Sequence, residues 1–211
     1  MNETIMIVDD SPYIVDGLVT LLKRKGYKPI AAHDGNECLT LLSSSRPDLI
    51  LLDIMMEPVD GWEALEQIRR NPETSDIPIL MFSAKKITPE EAFEHSMCID
   101  DFVSKPVNTA ELLGAIERVF ERRKALVREM LRAQDAGLDA ETLREYYTLL
   151  RNINVDKNLL SVLISSSGMD VLGKTVAESD RAAITKLKEK IQIAEVRLKE
   201  ITNRFGENSP A

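Results

Sequence analysis

Five side chains in this 211-residue sequence have the types and spacing to do chemistry together: Asp9, Asp10, Asp53, Ser83 and Lys105. Three carboxylates in one crevice repel each other, and a hard divalent cation relieves that repulsion. Mg2+ takes about six oxygen ligands, usually a few carboxylates with waters and a phosphoryl oxygen, which suits Asp9, Asp10 and Asp53 with positions left for a phosphate donor. A carboxylate beside such an ion can attack phosphorus and form an aspartyl phosphate. The transferring group spreads charge over its equatorial oxygens, so donors must stand ready around it; the Ser83 hydroxyl and the Lys105 ammonium are of that kind.

Each of these groups follows a short apolar run. Thr4 to Val8 precedes Asp9, Leu49 to Leu52 precedes Asp53, Ile79 to Met81 precedes Ser83, and Phe102 to Val103 precedes Lys105. Together with Lys28 to Ala31 these runs read as five strands, with amphipathic helical patterns between them. Leu49 to Leu52 is apolar without alternation, as in a strand buried on both faces of a parallel sheet. In an open α/β sheet the functional crevice lies beyond the carboxyl ends of the strands, where strand order reverses, and the five side chains fall at such ends.

Residues 1 to about 120 resemble a two-component receiver domain. The resemblance is carried, in order and spacing, by Val8-Asp9-Asp10-Ser11, Leu52-Asp53-Ile54-Met55-Met56 with Asp60-Gly61, Phe82-Ser83-Ala84, and Asp100-Asp101-Phe102-Val103-Ser104-Lys105-Pro106. It implies a flavodoxin-like five-stranded parallel sheet with Asp53 as phosphoacceptor. Asp9, Asp10 and Asp53, with the backbone carbonyl of Met55, would hold Mg2+, and Ser83 and Lys105 would bind the phosphoryl group. Phe102 would be an aromatic switch that packs inward when Ser83 moves toward the phosphate, and the Lys105–Pro106 bond would be cis. The resemblance also implies a histidine kinase as donor, and no enzymatic activity beyond self-catalysed phosphoryl acceptance and autodephosphorylation. The family's usual proline four residues after the acceptor is replaced by Glu57, with Pro58 one place later, so the loop over the site is expected to differ in shape. The helix after Ser83 reads as short. A haloacid-dehalogenase-type phosphatase would need Asp-x-Asp where this chain has Asp53-Ile54-Met55, and a dinucleotide-binding fold would need GxGxxG where it has Asp9-Asp10-Ser11-Pro12.

From Asn108 onward no strand candidate appears, and the pattern is helical with breaks at Ala136 to Leu138, Asn152 to Asn154 and Gly168 to Lys174. This predicts a receiver domain over 1–121 and an all-α output or dimerisation domain over 122–211. Thr175 and Glu178 form a capping box and Gly206 follows Phe205, so the final helix should span about 29 residues. Along it Ile184, Leu187, Ile191, Ala194, Leu198, Ile201 and Phe205 step alternately by three and four, a coiled-coil-like a/d seam. A weaker seam (Ile116, Val119, Arg123, Leu126, Met130, Ala133) predicts that the last receiver helix continues unbroken into the second domain. The final seam and the stripe Leu143, Tyr146, Tyr147 and Leu150 fit a bundle that docks a partner protein or forms a homodimer, through itself or through the receiver face. A helix packed inside its own chain would carry the same seam. The alternative is a DNA-binding output in which Asp156 to Ser167 and a helix after Gly168 form a helix-turn-helix. Its second helix would hold Gly173 and one basic residue, Lys174, without a fork of Arg, Asn or Gln to read bases, so DNA is the less favoured partner.

The net charge of −8 is unevenly spread: residues 1–116 hold 10 basic and 20 acidic side chains, residues 117–211 hold 17 and 15. The acidic first part argues against generic phosphate-backbone binding there, while the mildly basic second part leaves nucleic acid open without requiring it. Arg118, Arg122, Arg123, Lys124, Arg128 and Arg132 form a basic run that by default is a solvated helix face. No apolar run approaches the roughly 18 residues of a membrane span. Met1 to Ile5 carries Glu3 rather than a basic patch and leads straight into a strand, so a cytoplasmic location is expected. Cys38 and Cys98 form no CxxC pair and read as two buried, reduced thiols. His33 and His95 read as surface or packing residues rather than metal ligands or phosphorelay sites.

Overall fold

The computed structural model describes residues 2–85, 88, 91, 95, 98–106, 108–166 and 178–206. The chain forms two compact units that meet in sequence at Ile116 and Glu117. In the first, β1 (Thr4–Val8), β2 (Lys28–Ala32), β3 (Leu49–Leu52), β4 (Ile79–Ser83) and β5 (Asp101–Ser104) make one parallel sheet in the order β2-β1-β3-β4-β5. This is the flavodoxin-like order, with its switch point between β1 and β3. The apolar runs of the sequence are all strands, with β2, β4 and β5 one or two residues longer than the runs alone. Every residue of β3 and β4 is buried, as the unbroken apolar run at Leu49 to Leu52 requires.

The helices start where local chemistry tells them to. Pro12 opens α1 (Pro12–Arg24) in the first turn, where its missing N–H is not needed, and Val15, Leu18 and Leu22 turn one face to the core. At α2 (Gly35–Leu42) the Asp34 carboxylate accepts the Glu37 amide at 2.8 Å, while Glu37 accepts the His33 amide at 2.7 Å, a reciprocal cap. Asp60 caps α3 (Gly61–Arg70) by accepting the Glu63 amide at 2.8 Å. After β5, α4 (Thr109–Asp135) runs without a break for 27 residues. It buries Leu112, Ala115, Ile116 and Val119 early and Ala133 late. The continuous helix predicted from the weak seam is therefore present.

The second unit is helical. α4 ends in a left-handed Gly137 (φ 81°), where the Gly137 amide donates to Gln134 O and the Leu138 amide to Ala133 O. Asp139 then caps α5 (Ala140–Ser166), accepting the Thr142 amide at 2.9 Å and hydroxyl at 2.6 Å. α6 (Glu178–Gly206) spans 29 residues. Ala133, Tyr146 and Ile201 form a buried cluster flanked by Met130, Leu143, Leu149, Leu150 and Leu198. α5 and α6 pack on each other, and the seam residues Leu187, Ile191 and Ile201 are buried inside the chain.

The break expected at Asn152 to Asn154 does not occur, because α5 passes straight through it. Asparagine costs a helix only about 0.5 kcal/mol relative to better formers. The neighbouring Ile153 and Val155 are buried, and Asn154 Nδ2 donates to Leu150 O at 3.1 Å, so packing outweighs propensity. Asp156 to Ser166 likewise belongs to α5. The turn at Gly168, the Thr175 cap and most of the helix expected after Ser83 lie outside the described residues. Among the described residues no helix is long and apolar enough to cross a membrane.

Candidate functional site

The register of the sheet decides which side chains meet. Val8 pairs with Leu52, so Asp9 and Asp53 emerge side by side at the switch point. The Asp9 amide donates to Ala32 O at 3.2 Å and the Asp53 amide to Val8 O at 3.0 Å, continuing the ladder into the site. On the other side Ser83 pairs with Ser104, and the Lys105 amide donates to Ser83 O at 2.8 Å, which turns Lys105 back over the strand ends. Its Nζ lies 2.6 Å from Asp9 Oδ2 and 2.8 Å from Asp53 Oδ2.

Asp9 is fully buried and Asp53 nearly so, whereas Asp10 is exposed. One ligand oxygen from each of these three acids lies within 4.8 Å of the others. Three carboxylates facing one ammonium leave a net charge of −2. That donor set, all hard oxygens with a deficit of two positive charges, fits a divalent cation of the Mg2+ or Ca2+ type. The second oxygens of Asp9 and Asp53 are held by backbone. Asp9 Oδ1 accepts the Ser11 amide at 2.8 Å, and Asp53 Oδ1 accepts the Ile54 amide at 2.7 Å and the Met55 amide at 3.4 Å.

Gly61 allows the loop after Asp53 to close on itself. Its amide donates to Ile54 O at 2.9 Å, and a Cβ there would fall 2.0 Å from the Asp53 carbonyl oxygen, so no other residue fits without moving the acid's own backbone. The Glu57–Pro58 and Lys105–Pro106 bonds are both cis. Ser83 is buried at the end of β4 and its hydroxyl accepts the Lys85 amide at 3.3 Å. Phe102 is buried two residues into β5, paired with Met81. The Met55 side chain is 55% exposed at the site's mouth.

The family model of the response regulator receiver domain matches residues 5–117. The chain belongs to this family. A second family model, described as Metanogen output domain 2, matches residues 122–209, so the receiver is followed by an output domain. The N-terminal domain of a response regulator receiver protein from Methanoculleus marisnigri is 56% identical over 56% of this chain and 95% of its own, with a TM-score of 0.48. A chemotaxis response regulator of Vibrio cholerae is 29% identical over 56% of this chain and 99% of its own, with a TM-score of 0.53. The response regulator TrrA of Thermotoga maritima, solved in complex with Mg2+ and BeF, is 30% identical over 56% and 98%, with a TM-score of 0.50.

In this receiver, then, the acids and Lys105 converge, while Ser83 and Phe102 stand on the adjoining strands. Sequence reasoning passed over two contributors. Phe82 lies under Lys105, whose Nζ is 4.3 Å from the ring centroid, so an aromatic face as well as two carboxylates holds the ammonium. The signal was an aromatic residue one place before a strand-end donor. Gly61 was noted as a motif residue, but its close approach to Asp53 is legible only in three dimensions. Cys38 is buried beside Met6, and burial pushes its thiol up to about 12, which leaves it an inert core thiol, whereas Cys98, expected to be buried as well, is only half-buried.

Proposed function

We propose that this chain is a phosphorylation-controlled response regulator: a histidine kinase transfers a phosphoryl group to Asp53, and a helical domain from residue 122 onward carries the output. The observation that supports it is the charge count at the switch point, where Asp9, Asp10 and Asp53 cluster and one lysine bonds two of them. Asp9, Asp10 and Asp53, with the Met55 carbonyl, would hold Mg2+. When bound, the ion supplies positive charge against the oxygens of the transferring group.

The chain's own residues do the rest. An Asp53 Oδ attacks phosphorus, a new O–P bond forms as the donor's bond breaks, and the product is an acyl phosphate. The backbone amides of Ile54 and Met55 fix the orientation of the carboxylate, so little is lost in aligning it. Lys105, already within 2.8 Å of Asp53, exchanges a carboxylate oxygen for a phosphoryl oxygen, and the Ser83 hydroxyl turns from the Lys85 amide to another. Phe102, one strand over, repacks as Ser83 moves. The change reaches α4, whose other end lies in the helical unit. The output is then a contact with a partner protein or a second copy, in the cytoplasm.

The test is phosphorylation of the full chain with Mg2+ and a small acyl phosphate. A hydroxylamine-labile phosphate on wild type and none on Asp53→Asn is expected; label retained by Asp53→Asn overturns the assignment. Molar mass by light scattering with and without Mg2+ and beryllium fluoride then separates the outputs: a rise to the dimer mass supports self-association, and an unchanged mass supports a different partner.

A further inference from the structure

The loop from Asp53 to Gly61 is pinned from two sides. On one side Gly61 lies on the Asp53 carbonyl, as described. On the other, Val59 lies on Gly35, the first residue of α2. A Cβ at position 35 would fall 2.6 Å from Val59 Cγ1, 2.9 Å from Val59 Cβ and 2.9 Å from the Val59 carbonyl oxygen. Because one of those atoms is backbone, rotation of the Val59 side chain alone does not make room, and either α2 or the loop must move.

α2 is the firmer of the two. Its first turn is locked by the reciprocal bonds of Asp34 and Glu37. It follows directly on β2, whose last carbonyl, at Ala32, accepts the Asp9 amide. The wall at Gly35 is thus tied to the backbone of one acid while touching the loop that leaves another. The loop between Ile54 and Val59 is held at its ends by the Gly61 amide and by this contact.

We propose that Gly35, which contributes no ligand, is a positioning residue for the divalent-cation site: by admitting Val59 against α2 it sets the path of the loop and hence the spacing of Asp53 and the Met55 carbonyl from Asp9 and Asp10. The inference rests on the reading that these acids hold a cation. Residues that orient ligands typically change metal affinity by about 10-fold to 100-fold when altered. Gly35 acts through a neighbour, so the lower figure is the expectation.

The experiment is Mn2+ binding to the full chain, counted from the free-ion signal in electron paramagnetic resonance, with thermal unfolding of each variant alongside. Gly35→Ala is expected to weaken Mn2+ binding about 10-fold in the folded protein. Adding Val59→Ala, which removes the nearest atom, should bring the affinity of Gly35→Ala part of the way back. Gly17→Ala, where a Cβ meets nothing within 4 Å, should bind as wild type. Should Gly35→Ala fail to fold, Val59→Ile crowds the same contact from the loop side and should weaken binding in the same direction by less. Wild-type affinity in a folded Gly35→Ala, or binding that Val59→Ala weakens further in that background, overturns the proposal. Failure of the underlying reading looks different: wild type itself would not bind Mn2+, or would bind it equally well as Asp10→Asn.

Discussion

In the receiver unit Asp9 and Asp53 lie 2.6 and 2.8 Å from Lys105; in the helical unit Asp156 lies 3.0 Å from Lys190, across the packed pair α5 and α6. All three aspartates are buried, and each is satisfied by an ammonium on another element. In the bundle the Lys190 ammonium meets Asp156 on the facing helix, a pair that ties the two helices together. In the receiver Asp9 and Asp53 share one lysine and exposed Asp10 stands beside them, so the acids outnumber the ammonium that holds them. Burial of an acid does not by itself mark a site; an unbalanced count at a sheet's switch point does.

The largest effects should come from breaking the unbalanced cluster. Asp53→Asn removes the attacking oxygen and should abolish hydroxylamine-labile phosphate, whereas Asp156→Asn should leave phosphorylation at the wild-type rate. Lys105→Met separates two roles of the lysine. Loss of a preplaced donor should slow phosphoryl uptake by about 100-fold, comparable to losing one oxyanion donor. Without the ammonium the three acids should also bind Mg2+ more tightly, by a few-fold in a fluorescence titration through Trp62, the one tryptophan of the sequence and the second residue of α3. A variant that takes up phosphate slowly and binds Mg2+ more weakly would contradict the charge argument.

The Asp156–Lys190 pair should show up in stability instead. Lys190→Met leaves Asp156 buried without that counter-charge and should lower the stability of the helical unit by about 2 kcal/mol, less than for a fully buried pair because Lys190 is partly exposed. Asp156→Leu combined with Lys190→Met should recover most of that loss, as apolar replacement of a buried pair commonly does. Both are read from denaturant unfolding followed by circular dichroism, with phosphorylation unchanged throughout.

How much of this the sequence carried follows from the range of the forces involved. Strand ends were legible because β1, β3 and β4 are buried runs that hold apolar residues up to their last positions; Asp9 and Asp53 follow β1 and β3, and Ser83 is the final residue of β4. The α6 seam was legible for the same reason, being a periodic demand on side-chain type. The break at Asn152 was misjudged because a local preference was weighed without the packing of Ile153 and Val155. The contacts of Gly35 with Val59 and of Gly61 with Asp53 depend on how closely two backbones approach, which no residue type announces, since a glycine at a helix start reads the same whether its missing Cβ is needed or not.

The smallest effect belongs to an exposed pair in the bundle. Arg197 holds Glu145 through two hydrogen bonds, Nε to Oε1 at 2.6 Å and Nη2 to Oε2 at 2.9 Å. The guanidinium's hydrogen bonds, and then its charge, keep the Glu145 carboxyl below its ordinary value of 4.5. For a carboxyl lowered in the folded state, the stabilisation is fully present above the unfolded value and is lost as pH falls through the folded one. The pair's contribution should therefore be constant at neutral pH and fade only below about pH 4.5, and salt should shrink it, since both side chains are more than one-third exposed. Glu145→Gln should flatten that acid limb of the stability profile in unfolding experiments between pH 3 and 7. An acid limb as steep in Glu145→Gln as in wild type would mean that the bidentate pair is geometry without energetic weight, and would leave Lys190–Asp156 to fix the register of the two helices.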